Sequence, residues 1–175
     1  MAVLTRGTFS LNLGIVQLGG ELGEDDRQCA WELYTELCTR VAVTGKKNDS
    51  ECKNFDGELY VESLSSLYKF FQEARMIMRK FPVGRIKSDN NSHLGIVINR
   101  ILEDVLRPFL EKWQVKYRQW WENESDQSLH PFERQKQFPD LTEFLEDWSS
   151  VRWLMKEVQN ELVKSYKLVD AEDRE

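Results

Sequence analysis

The sequence predicts an all-α protein: a helical bundle of four long helices, the third kinked at Pro108, behind a short extended N-terminal arm or hairpin. Three observations carry this expectation. Beyond about residue 24, apolar residues recur at three- and four-residue spacings, the period of a helix with one buried face. Strand-like alternation is confined to TFSLNLGIVQLGG, where Phe9, Leu11 and Leu13 alternate with polar neighbours until Gly19-Gly20 ends the pattern. Polar or proline-bearing stretches cut the remainder into segments of helical length.

The elements follow in order. Residues 1–22 form the arm, read as lying against the helices. The first helix starts at Glu24-Asp25-Asp26, acidic residues suited to the positive end of a helix dipole. Ala30, Leu33, Tyr34, Leu37 and Val41 share one of its faces, and the polar stretch Gly45 to Gly57 is a loop. The second helix spans about Glu58 to Phe81, with Leu64, Leu67, Tyr68, Phe71, Ile77 and Met78 on its stripe; Pro82 stops it. The polar run Ser88 to Ser92 offers an N-cap to the third helix, which begins near His93 and carries Leu94, Val97, Ile98, Ile101, Leu102 and Val105. Pro108 lacks an N–H and crowds the preceding turn, so a kink is expected there before the pattern resumes to about Glu122. Asn123 to Phe138 shows no period and reads as a long loop. The fourth helix opens at Phe138-Pro139-Asp140 and buries Leu141, Phe144, Leu145, Trp148, Val151, Met155, Val158 and Leu162. Residues 169–175 are a polar, acidic tail.

The 175 residues suffice for a single domain with its own core. Hydrophobic residues make up 41%, and six Trp and nine Phe point to a core dominated by large aromatic contacts. A formal charge of −6 argues against a surface built to track a phosphate backbone. The N-terminus lacks the apolar core of a signal peptide, and no run is long enough to span a bilayer. Cys29, Cys38 and Cys52 are odd in number and have no C-x-x-C spacing, which indicates reduced thiols and a cytoplasmic location.

No motif specifies catalysis. A serine nucleophile elbow, a Walker loop, a dinucleotide fingerprint and a metalloprotease H-E-x-x-H are all absent from the sequence. Glu32 and Glu36 form an E-x-x-x-E pair, but neither His93 nor His130 lies three residues after a Glu, as a bundle metal site requires. A helical ribonuclease of the HEPN type keeps a closely spaced Arg and His on one helix; Arg85 and His93 are eight positions apart, in a linker. No cofactor or metal is therefore expected.

The stretch LRPFLEKWQVKYRQWW, Leu106 to Trp121, combines aromatics and cations and invites a nucleic-acid reading. Its helical angles argue otherwise. Phe109, Trp113, Tyr117 and Trp120 continue the buried stripe, Lys112 and Lys116 flank one side, and Arg107 and Arg118 lie round the other. Trp121 points elsewhere and is a candidate interface anchor.

The runs WELYTELCTRVAV, Trp31 to Val43, and LRPFLEKW, Leu106 to Trp113, resemble a family of uncharacterised bacterial helical proteins. The resemblance implies an all-α fold over roughly residues 24–121 and carries no activity or site residue. Arg40 and Arg107 fall in these runs and are candidate structural ion pairs that fix helix register through a bundle carboxylate.

Without convergent titratable groups on the apolar faces, the expected function is non-enzymatic: a helical interaction module binding another protein or itself, as an oligomer or as a subunit of a larger bacterial complex. Tyr60, Val61, Trp153 and Val163 lie off the main stripes, which implies burial on a second side, either inside the bundle or at an interface. With Trp121, Tyr60 and Trp153 are the interface candidates. The alternatives are a nucleic-acid-linked role, as a helical ribonuclease or defence-complex subunit, and a small-ligand pocket between helices.

Overall fold

The protein is described by a computed structural model over residues 2–13, 24–80 and 94–169. The arm is a hairpin. Strands β1 (Ala2–Arg6) and β2 (Phe9–Leu13) pair antiparallel, with Arg6 opposite Phe9 across the two-residue turn Gly7-Thr8. Gly7 has φ +59°, which suits the hairpin turn that takes glycine first. The alternation read in the sequence buries Phe9 and Leu11. The Phe9 ring lies 6.3 Å from that of Phe109, so the hairpin is a packed layer rather than a loose arm.

Helix α1 (Glu24–Cys38) buries Cys29, Ala30, Leu33, Tyr34 and Leu37. It stops before Val41, contrary to the single face expected from the sequence. Arg40 is extended (φ −117°, ψ 96°), and the chain restarts as the short α2 (Val41–Thr44). Val41 is 47% exposed, while Ala42 and Val43 turn inward. A four-residue helix leaves carbonyls unpaired, and that of Ala42 accepts bonds from the last helix of the fold.

Helix α3 (Tyr60–Lys80) buries Tyr60, Leu64, Leu67, Phe70, Ala74 and Ile77. The face is rotated from the one expected: Tyr68 is exposed and Phe71 and Met78 are half-buried. Helix α4 (Leu94–Arg100) passes through a π-helical turn (Ile101–Leu106) into α5 (Arg107–Asn123). The expected kink at Pro108 is taken up by this widened turn, in which Arg107 N–H donates to the Leu102 carbonyl five residues back. The wider turn relieves the clash between the proline ring and the carbonyl four residues earlier. It also sets the buried pairs Ile101/Leu102, Val105/Leu106 and Phe109/Leu110 four residues apart. The stripe then resumes at Trp113, Tyr117 and Trp120, as the sequence indicates.

Asn123 to Phe138 is not wholly loop. It contains α6 (Pro131–Gln135), with proline in its first turn and the His130 Nδ1 accepting from Phe132 N–H at 3.4 Å. Buried Gln135 then ties α6 to the start of α3, accepting from Tyr60 N–H and donating to the Glu58 carbonyl, both at 2.9 Å. Helix α7 (Leu141–Tyr166) is the longest element and packs against α1, α2, α5 and both strands. Phe144 sits among the rings of Tyr60, Phe109, Trp113, Tyr117 and Trp148 at 5.1–6.3 Å. The chain is thus mostly helical, with one small hairpin added. Residues 14–22 of the arm, Phe81, Pro82, Arg85, Ser88 to Ser92, His93 and most of the acidic tail, for which the sequence raised expectations, lie outside the described residues.

Candidate functional site

The structure disperses the residues singled out from the sequence. Tyr60 is 7% exposed and stands edge-on to Phe55, Tyr117, Phe144 and Trp148, so it belongs to the chain's own interior. Val61, Val163 and Trp153 are partly buried against the same core, and the Arg6 guanidinium lies 5.2 Å from the Trp153 ring centre. Trp121 is half-buried, stacked on Tyr117, with the Arg134 guanidinium 3.8 Å over its face and bonded to its carbonyl. Arg40 and Arg107 pair within a single turn, with Glu36 at 2.7 Å and Glu111 at 2.8 Å. Neither of these bonds joins two helices, so neither fixes helix register.

The ion pair that does join distant elements was missed. Arg152 on α7 is fully buried, and its Nη2 meets Glu58 Oε2 at 2.5 Å, just ahead of α3. Its Nε donates to the Ala42 carbonyl at 3.3 Å, and its guanidinium lies 4.0 Å from the Phe55 ring centre. Burial pulls the Arg152 pKa below its ordinary value, and Glu58 pushes back. One turn earlier, Trp148 Nε1–H donates to the same Ala42 carbonyl at 2.9 Å. Asp147 accepts from Trp113 Nε1–H at 2.9 Å and from Lys112 at 2.8 Å. One turn later, Lys156 donates to the carbonyls of Lys46, Lys47 and Asp49 at 3.2–3.3 Å. This row holds the loop 45–59 and α5 against α7. It is closed to solvent at Arg152, and nothing in it places a nucleophile beside a base.

The cations flanking the aromatic stripe are also spoken for. Lys112 pairs with Glu143 and Asp147, and Lys116 with Asp140 at 2.8 Å. Two thiols are inert: burial raises the Cys29 pKa to about 11 and lifts that of Cys52 as well. Among the described residues no group of three or more His, Cys, Asp or Glu could hold a metal ion. No described helix is long and apolar enough to cross a membrane.

A groove of about 770 Å³ opens between α3 and the continuous α4–α5 helix. Its apolar lining includes Tyr68, Phe71, Met78, Leu102, Leu110 and Val115. A smaller hollow of about 520 Å³ shares Tyr68, Gln114 and Val115 and extends the groove to Asn123. The apolar lining surfaces: Val115 is 70% exposed and Tyr68 40%. Arg75 and Arg79 stand on the α3 side, and Glu103, Arg107 and Glu111 alternate along the other. Among the described residues Arg79 and Glu103 have no ion-pair partner, and Arg75 meets only the Phe71 ring, at 5.8 Å. No protein-family model, curated protein or solved structure matches this chain.

Proposed function

We propose that this chain is a helical interaction module that acts by binding protein, another chain or a second copy of itself, through the groove between α3 and α5. The observation that carries the reading is an exposed apolar strip, Tyr68 and Val115 above Phe71 and Leu110, flanked by Arg79 and Glu103, which have no ion-pair partner among the described residues, and by Arg107 and Glu111, which pair only with each other. A groove between two antiparallel helices is the form that receives an amphipathic helix from another chain. The alternation of Glu and Arg along one edge disfavours a nucleic-acid track, which needs one continuous sign. We further read the long helices as a bundle built round α7 and place the protein in the cytoplasm, in keeping with three unbridged cysteines.

A photo-reactive residue in place of Val115, compared with one in place of the slightly more exposed Val169, tests this in cells. The expected result is a discrete protein adduct from position 115, lost when Tyr68→Glu is added, and none from 169. Adducts to nucleic acid, or no discrete adduct from 115, would overturn the reading.

A further inference from the structure

We infer that the occupant of this groove is a second copy of the same chain, in a two-fold dimer whose axis runs along the groove. The inference rests on the reading of the groove as a protein-binding face and names its partner.

The geometry is self-complementary. Tyr68 shares the far hollow with Arg118 and Glu122, whereas Arg75 and Arg79 share the main groove with Asn99 and Glu103, so α3 and α4–α5 run antiparallel. A two-fold axis parallel to both helices lays α3 of one copy over α5 of the other and keeps each level in register. The α3 edge is then basic, with Arg75 and Arg79, and it falls on the edge of the partner where Glu103 and Glu111 outnumber Arg107. Symmetry makes the contact twice, as an isologous interface requires. Tyr68 of each copy then lies over Val115 of the other, which removes from water the most exposed large apolar side chains of the groove.

The size is adequate. The helix from Asn99 to Asn123 spans ~36 Å at ~1.5 Å per residue. Two helices side by side present a face about 20 Å wide, given interaxial distances of ~8–10 Å and side chains on both flanks. On α3 the lining runs only from Tyr68 to Arg79, ~17 Å, so two helices contribute over about half the length and one over the rest: roughly 530 Å² per copy, or about 1,100 Å² in all, just above the ~1,000 Å² that a specific interface should clear.

The test is a charge exchange in the full chain, read by sedimentation equilibrium. Wild type is expected to dimerise. The pair R75E/R79E makes both edges acidic, and the pair E103R/E111R makes both basic. Each variant alone should be monomeric, with association weakened at least tenfold, and an equimolar mixture should return to the dimer, because every edge then meets its opposite. All four positions are exposed, and circular dichroism melts confirm that each variant folds. A monomeric wild type, a dimer indifferent to the exchanges, or a mixture that stays monomeric would each overturn the proposal. A monomeric wild type that still gives the Val115 adduct, to a different protein, leaves the broader reading standing and removes only this one.

Discussion

The inner face of α7 and the outer groove beside α5 hold similar ingredients, aromatics interleaved with charges, and put them to opposite use. On α7 the charges are inside. Arg152 and Lys156 each reach an acceptor on another element, Asp147 accepts from Trp113 and Lys112 on α5, and the aromatic rings fill the space between. In the groove the charges are outside, their partners are missing or one turn away, and apolar side chains stay in water. Charge joined across elements and sealed from solvent specifies the fold, because its removal strands a buried partner. Charge left on an exposed rim alters stability little and is free to select what docks there.

The contrast is broken most forcefully at Arg152. Arg152→Ala removes one member of a buried pair and leaves Glu58 and the Ala42 carbonyl short of a donor. Urea unfolding should show a loss of about 3–5 kcal/mol. Replacing both partners, Arg152→Met with Glu58→Met, should recover most of that loss. A double variant no more stable than the single would show that α7 is held by contacts other than this pair.

Asp147 comes next. Asp147→Ala strands the buried Trp113 N–H and should cost about 1–3 kcal/mol. It also carries a pH signature. Hydrogen bonds donated to Asp147, then to Glu143, raise the Lys112 pKa above its ordinary 10.5. A raised amine stabilises the fold below the unfolded value, and the contribution is lost as pH climbs through the folded one. Burial also raises the Tyr117 pKa and acts in the same direction. The alkaline loss of stability should therefore persist in Asp147→Ala but shrink, and an unchanged slope would remove Lys112 from the account.

At Gly7, Ala for Gly forces an L side chain to φ +59° and puts a Cβ 2.7 Å from Ser150 Oγ. The backbone component alone is about 1–2 kcal/mol. Adding Ser150→Ala should return only the part that comes from the close approach. Complete recovery would mean that the left-handed turn costs nothing.

These effects differ in how readily the sequence announces them. The aromatic stripe from Phe109 to Trp120, the buried face of α7 and the Phe9-Leu11 alternation are local periodicities, and each follows from spacing alone. Arg152 carried a weaker signal: it falls four residues after Trp148 and three before Met155, on the apolar stripe itself, where a solvated charge does not belong. Its partner Glu58 lies 94 residues away, and no period reports a tertiary pairing of that kind. The break at Arg40 and the π turn were hidden because apolar spacing stays nearly helical through both. The groove escaped for a related reason. Tyr68 and Phe71 sit close enough to α3's stripe to pass as core, and only the neighbouring helix decides which side of α3 is covered.

The smallest effect on stability is expected at Arg107, and it bears most directly on the groove. Its bond to Glu111 spans one turn on an exposed surface, so Arg107→Ala should leave the melting temperature of the dilute protein unchanged. A lowered melt would restore the role in helix register that the sequence suggested for it. The same substitution acts on association with the opposite sign. Arg107 is the cation interrupting the acidic edge between Glu103 and Glu111, and it faces Arg75 and Arg79 of the second copy in the proposed dimer. Removing it deletes a like-charge contact twice over and frees Glu111 to turn outward. Dimerisation should tighten several-fold at low salt, and the gain should fade as salt screens the rim. Weaker association would mean that Arg107 supplies attraction across the interface, and the pairing of a basic α3 edge with an acidic α5 edge would then be wrong.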